Sequence, residues 1–362
     1  RDGMLIDTTC SRFERVSLGT IGAAVVALYV AVLFDPSMGR SISDAVAAFK
    51  AAPPAGETSA SSSDSWVDIT TVATIIAPAE TVAVLDATTG DETVPPPLSV
   101  AQIDKLFSQV DYRLEGVRLG ELAVPRVLLE AVPVDLVTVE SPTERKRLFI
   151  QMALPLVLQA NEYVIADRIR LIRLHGEFSR GGTIADSRDR AWLADLAARY
   201  GVDSADIGAL LLRVDIIPPS LALAQGAEES GWGTSRFVRE GNAIFGQRTF
   251  TAGAGLVPED RDADKSHEVR SFDRLLGSVA SYMTNLNTHF AYDEFRAMRA
   301  RQRLSSGIMD SVALVGTLNR YSERGDDYIA TIRSIIESNG LRAYDRARLS
   351  DGDVVAINQS AI

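Results

Sequence analysis

Two adjacent carboxylates, Glu228 and Glu229, sit where the surrounding residue types make a helix and then stop it. Pro218 and Pro219 suit the helix start, because the amide that proline lacks would be unpaired there anyway. Leu221, Ala224 and Ala227 can pack one face inward, and Ser230, Gly231, Trp232 and Gly233 break the helix directly after the glutamates. A carboxylate leaving a packed helix beside an aromatic wall is partly stripped of water. That raises its pKa and equips it to donate a proton near neutral pH. A plainer use exists for the same residues: a helix-end Glu is commonly a solvated charge, and a Trp between glycines a packing anchor in a turn. Spacing alone does not choose between these uses. Nor does periodicity say which glutamate faces inward, since neighbours on a helix point about 100° apart.

The elements that must position these groups are mainly helices. Ser141-Pro142-Thr143-Glu144 has the form of a capping box, with a serine cap, proline at the first helical position and a glutamate placed to bond back. It predicts a helix running toward Leu174 with Leu148, Met152, Leu156 and Ile165 among its apolar positions, which Pro155 should kink or split. Further helices are predicted over 187–200, stopped by Gly201, and over 204–214. Structure is expected to begin near Ser99. Before it, residues 17–34 form an uncharged apolar run of roughly bilayer-spanning length. Arg12 and Arg15 precede the run and Asp35 follows it, which predicts a single membrane anchor with residues 1–16 in the cytoplasm. Residues 35–98 are rich in Ala, Ser, Thr and Pro, with Pro95-Pro96-Pro97 at the end, and read as a flexible tether.

Composition narrows the partners. At 362 residues, 46% hydrophobic and 23% charged, the chain can hold a sizeable core with appendages. A formal charge of −11 argues against nucleic acid, whose phosphates need a basic footprint. The single cysteine, Cys10, excludes an internal disulfide, and His175, His267 and His289 are too scattered for metal-ligand spacing.

The string Ala224-Gln225-Gly226-Ala227-Glu228-Glu229-Ser230-Gly231-Trp232-Gly233-Thr234-Ser235, followed by Gly241-Asn242-Ala243-Ile244-Phe245-Gly246, resembles the signature of glycoside hydrolase family 73. More narrowly it is similar to the Bax-type glucosaminidase branch, over roughly residues 136–339. The resemblance implies an α+β fold, mostly α, with a lysozyme-like catalytic domain over 204–345 that carries a small β-lobe. A helical region over 99–203 would precede it and a tail over 346–362 would follow. It also implies cleavage of the β-1,4 bond after N-acetylglucosamine in peptidoglycan, without metal or organic cofactor. The expected location is the inner membrane of a bacterium, single-pass, with the catalytic domain in the periplasm. A regulatory protein partner is compatible with such an activity, and no residue names it.

Residue by residue, the resemblance makes Glu229 the general acid that protonates the leaving sugar's oxygen. Glu268, with Val269 and Phe272 suggesting a short β element, matches the family's second acidic position; Glu259, Asp260, Asp262 and Asp264 are rivals nearby. If Glu268 activates a water, the reaction inverts. If the substrate's acetamido carbonyl attacks instead, the reaction retains and Glu268 orients that group. Tyr321, in a stretch resembling the family's late tyrosine motif, would face the acid, while Tyr328 begins an apolar stripe with Ile329, Ile332 and Ile336 and reads as structural. Trp232 and Phe245 could offer apolar faces to sugar rings and Asn242 a polar contact, with packing an equal use for Phe245. The chain departs from the pattern at Ala243, where a second asparagine is common. It also lacks the cysteine pair that some Bax-type members carry in the next loop, having Thr249 and Ala254 there. A lytic transglycosylase, which needs one catalytic glutamate, and an inactive wall-binding or scaffolding protein are the alternatives.

Overall fold

The structure, a computed structural model, describes residues 98–249, 251–258, 268–305, 307–352 and 355–357. The expected anchor, the expected tether up to residue 97 and the rival carboxylates Glu259, Asp260, Asp262 and Asp264 lie outside the described residues, while Leu98, placed at the end of the tether, is buried. The helices are α1 (Val100–Gln109), α2 (Leu114–Leu119), α3 (Pro142–Gly181), α4 (Ser187–Tyr200), α5 (Ile207–Arg213), α6 (Pro219–Ser230), α7 (Arg236–Gly241), α8 (Leu275–Thr288), α9 (Asp293–Ser305), α10 (Ser311–Val315) and α11 (Asp326–Ser338). The strands are β1 (Val127–Leu129), β2 (Arg248–Thr249), β3 (Gly255–Leu256), β4 (Glu268–Arg270) and β5 (Val355–Ile357). Strands β2, β4 and β3 form a small antiparallel sheet in that order, and β1 pairs in parallel with β5. The architecture is therefore α+β and mostly helical. The terminal segment expected as a tail contributes β5 to a sheet.

Local sequence rules explain the helix ends. Ser99 and Gln102 form a full capping box at α1. At α3 the box is half realised: Ser141 Oγ accepts from the Glu144 amide at 3.3 Å, while the Glu144 carboxylate turns to Arg147. Asp186 caps α4, and Gly201 ends it in the left-handed conformation at φ 61°. Pro155 does not split α3, which is one helix of 40 residues. Residues 148–161 are buried without interruption, so packing on every side holds the segment despite the missing hydrogen bond. Among the described residues α3 is the one helix long and apolar enough to cross a membrane, and most of that stretch is buried inside the protein.

The chain divides into two compact units. Of the described residues, the larger holds 98–165, 216–292 and 311–357; the smaller holds 166–215 and 293–310. The larger is centred on α6, in which every residue from Pro219 to Ala227 is buried. Asn161 pins the chain entering α6, giving its Nδ2 to the Ile217 carbonyl at 2.8 Å and accepting the Ile217 amide at 3.0 Å. Pro218 offers no side-chain cap, and the carboxylate of Asp345 does that work from elsewhere in the chain. It accepts from the Ser220 amide and hydroxyl, each at 2.8 Å. A side chain at Gly226 would begin 3.0 Å from Ile244 Cγ2 and 3.4 Å from Phe149, so glycine is what lets α6 approach its neighbours.

The smaller unit is built around Asp215. Its carboxylate binds the Arg303 guanidinium through two nitrogens and lies 3.7 Å from Arg168 Nη1 and 3.9 Å from Arg299 Nε. The arginines also bond the carbonyls that α5 leaves open at its C-terminal end: Arg168 those of Leu211 and Val214, Arg299 those of Leu212 and Arg213. Burial alone would raise the Asp215 pKa; the three guanidiniums outweigh it and bring it to about 2.

Candidate active site

Helix α6 ends by a mechanism that accounts for the residues after Glu229. Ser230, itself buried, donates its hydroxyl to the Gly226 carbonyl at 2.6 Å and accepts the Gly233 amide at 2.8 Å. Gly231, Trp232 and Gly233 then run in succession at φ 58°, 59° and 82°. Left-handed backbone is cheap for glycine and strained for Trp232. A side chain at Gly233 would begin 3.0 Å from Leu136 Cδ2. The turn thus terminates α6 directly after the two carboxylates and fixes their directions.

Those directions differ. Glu228 Oε1 accepts from Arg324 Nη1 at 2.6 Å, and Arg324 Nη2 reaches Thr331 Oγ1 at 2.7 Å. This pair is partly exposed. Glu229, half-buried, instead accepts at Oε1 from the Tyr328 hydroxyl at 2.9 Å. The Glu229 pKa lies above the usual carboxylate range, first because burial disfavours its charge and also because Glu228 is near. The Tyr328 hydrogen bond and the Arg324 charge pull the other way without prevailing. A carboxyl that keeps its proton to higher pH, beside a neutral hydroxyl, is chemically a proton donor.

Behind this pair, Tyr328 Oη accepts from Gln225 Nε2 at 2.9 Å, and the Tyr282 hydroxyl donates to Gln225 Oε1 at 2.8 Å. The Tyr321 ring stacks on Tyr328 with centroids 5.4 Å apart and planes at 12°, and Tyr292 follows at 6.0 Å from Tyr321. Burial pushes the hydroxyls of Tyr282, Tyr292, Tyr321 and Tyr328 upward, and the nearby Glu229 charge adds to it, so all stay protonated at neutral pH.

The expected site residues fall into two groups. Tyr321 is gathered at the acid, through its stacking on Tyr328. The remaining four make other contacts, Phe245 alone among them with a residue behind the acid. Glu268 is buried, and its carboxylate accepts from the amides of Gly253 at 3.1 Å and Gly255 at 3.0 Å, fastening the β2–β3 loop. Phe245 is buried and stacks on Tyr282 with centroids 3.8 Å apart. Trp232 packs edge-on against Phe149, with Lys146 Nζ 5.0 Å from its ring centre. Asn242 ends α7 at φ 53° and gives its Nδ2 to the carbonyls of Phe272 and Asp273. Sequence reasoning missed Gln225 and Tyr282, and it read Tyr328 as structural, whereas Tyr328 is both a buried member of the α11 stripe and the donor to Glu229. The four-residue step from Gln225 to Glu229 on one helix face was the available signal for the first of these. No group of three or more metal-ligating side chains occurs among the described residues.

Residues 208–341 match the family model described as Glucosaminidase: Mannosyl-glycoprotein endo-beta-N-acetylglucosaminidase. The chain is 33% identical over 213 residues to the protein bax of Escherichia coli (strain K12), an alignment that covers 57% of this chain and 73% of that protein. No solved structure shows significant similarity to it. Both glutamates, the tyrosine cluster and the small antiparallel sheet lie inside the matched region.

Proposed function

This chain belongs to the Bax-type branch of the glucosaminidase family, and on that premise we propose that it hydrolyses the β-1,4 bond after N-acetylglucosamine in peptidoglycan, with Glu229 as general acid. The observation that carries this reading is the environment of Glu229: half-buried, raised in pKa, and fixed by a tyrosine that cannot itself ionise at working pH. Glu229 would protonate the glycosidic oxygen as the bond breaks, and Tyr328 would steady the carboxylate left behind. A lysozyme-like arrangement, in which a helix-end glutamate faces a small β-lobe, belongs to the same proposal. So does a site in the bacterial periplasm, with the chain held at the inner membrane by residues 17–34.

The placement of Glu268 bears on the route. Its oxygens are taken by the amides of Gly253 and Gly255, which favours an orienting role over water activation. We therefore assign the retaining route, in which the substrate's own acetamido carbonyl attacks and Glu268 orders the loop beside it. The same observation keeps a lytic transglycosylase as the second reading, since that chemistry also needs only one carboxylate.

Digestion of purified peptidoglycan, followed by borohydride reduction and mass spectrometry of the sugar ends, tests the reading. New N-acetylglucosaminitol ends are expected. Glu229→Gln should lower their yield by on the order of a hundredfold to ten-thousandfold, and Glu228→Gln should largely retain it. Anhydro ends would transfer the assignment to a transglycosylase, and no release by folded protein would leave a binding role.

A further inference from the structure

Four groups of the larger unit form one continuous hydrogen-bonded line that ends at the acid: Tyr282, Gln225, Tyr328 and Glu229, with successive separations of 2.8, 2.9 and 2.9 Å. The first three are almost fully buried. When Glu229 is ionised their donor and acceptor inventory admits one direction, and a proton taken up at Oε2 leaves that direction unchanged. An ionised carboxylate only accepts, so Tyr328 must donate to Glu229 Oε1. The hydrogen of Tyr328 is then used, and its oxygen can only accept, which requires the NH2 end of Gln225 to face it. The carbonyl end of Gln225 must then face Tyr282, whose hydroxyl donates. Turning the amide around would set its carbonyl against Tyr328 and draw the tyrosine's proton away from Glu229. It would also make the Tyr282 hydroxyl an acceptor and take from its hydrogen the carbonyl it now bonds.

We propose that Gln225 is a positioning residue for the acid: it fixes the direction in which Tyr328 donates, so that Glu229 Oε1 is the steadied oxygen and Oε2 the one that carries the transferable proton. Gln225 suits this work because it lies four residues before Glu229 on α6, on the same face. Phe245, stacked on Tyr282 with planes 6° apart, holds the far end of the line in place. Oε2 lies toward Gly246, where a side chain would begin 3.9 Å away, so glycine leaves room beside the proton-bearing oxygen. The other titratable or charged groups acting on Glu229 are Glu228 beside it on α6, Arg324 before α11, and the hydroxyls of Tyr321, Tyr292 and Tyr282. None of them occupies Oε1.

The inference rests on the reading of Glu229 as the acid, and its test reads Glu229 directly. The full chain, 13C-labelled at glutamate, is titrated by NMR, the Glu229 carboxyl signal being the one missing from Glu229→Gln. Gln225→Met is expected to move the Glu229 midpoint to higher pH, because the donor that favours its charged form is no longer held in line. Tyr328→Phe should raise it further, and adding Gln225→Met to Tyr328→Phe should change nothing more, since Gln225 acts only through Tyr328. In the glycan assay Gln225→Met should lower kcat by roughly tenfold to a hundredfold with KM unchanged. An unshifted midpoint in folded Gln225→Met, or an equal shift with and without Tyr328, would overturn the proposal. If Gln225→Met fails to fold, Tyr282→Phe carries the same comparison, since it frees the amide to turn. Glycan cleavage that survives Glu229→Gln would sink Glu229 as the acid, and no cleavage by the folded wild type would sink the hydrolase reading; the titration decides the line of hydrogen bonds independently of both.

Discussion

At Glu229 the dominant physical effect is burial, which holds its pKa above the usual carboxylate value. A carboxyl whose folded pKa exceeds its unfolded one keeps its proton more tightly when folded. The stability it contributes is full below the unfolded pKa and is lost as pH rises through the folded value. Glu229→Gln should therefore melt at a higher temperature than the wild type at neutral pH, and the two curves should converge in acid. Calorimetry at pH 4 and pH 7.5 checks this, and a variant less stable at both pH values would contradict it. The neighbouring pair makes a second prediction. Arg324 neutralises Glu228 at 2.6 Å, and both charges act on Glu229 in opposite senses. Arg324→Gln should move the basic limb of the activity profile to higher pH, and Glu228→Gln should move it lower. Because the pair is partly exposed, both shifts should shrink in high salt.

Helix α6 brings Gln225, Glu228 and Glu229 together, and its position is set at both ends by groups outside it. At its start Asp345 satisfies the Ser220 amide and hydroxyl, and it also accepts from Ser311 Oγ at 3.1 Å. Asp345→Ala removes the cap of the helix that carries the acid. It should cost about 1 kcal/mol in urea-melt stability, the usual value for losing an N-cap. At the other end Ser230 and three successive left-handed residues turn the chain away. The string Ser-Gly-Trp-Gly, which identifies the family, is thus a stop signal in physical terms. It supplies a buried hydroxyl for a stranded amide and two glycines where a side chain would be strained.

The molecule as a whole comprises two compact units, and the chain passes between them within α3 and after α5, α8 and α9. In the smaller unit the buried carboxylate of Asp215 faces the guanidiniums of Arg168, Arg299 and Arg303. Asp215→Asn leaves these cations together without their counter-charge. It should destabilise by on the order of 3–5 kcal/mol, the cost of breaking a buried ion pair from one side. The Asp215 pKa of about 2 is depressed, so its contribution is present above the unfolded carboxylate pKa and is lost as pH falls through about 2. Circular dichroism of the wild type down to that pH, against Asp215→Asn, reads this directly, since the variant should lose the acid-dependent part of the transition.

The sequence by itself determined what depends on neighbours along the chain. The caps at Ser99, Ser141 and Asp186, the stop at Gly201, the mostly helical class and the break after Glu229 are all local events, decided within a few residues by backbone geometry and hydrogen bonding. The first block of the motif is local for the same reason, since Ser230, Gly231 and Gly233 serve one turn. Tertiary structure decided everything that needed a partner distant in the chain. Which of Glu228 and Glu229 meets a cation and which a buried tyrosine depended on where Arg324 and Tyr328 lie, about a hundred residues later. The use of Glu268 depended on the amides of Gly253 and Gly255 that fold back against it, and Pro155 was absorbed because α3 is packed on all sides. A side chain's pKa and role follow from the solvent and charges around it. Those surroundings are assembled only when segments far apart in sequence meet.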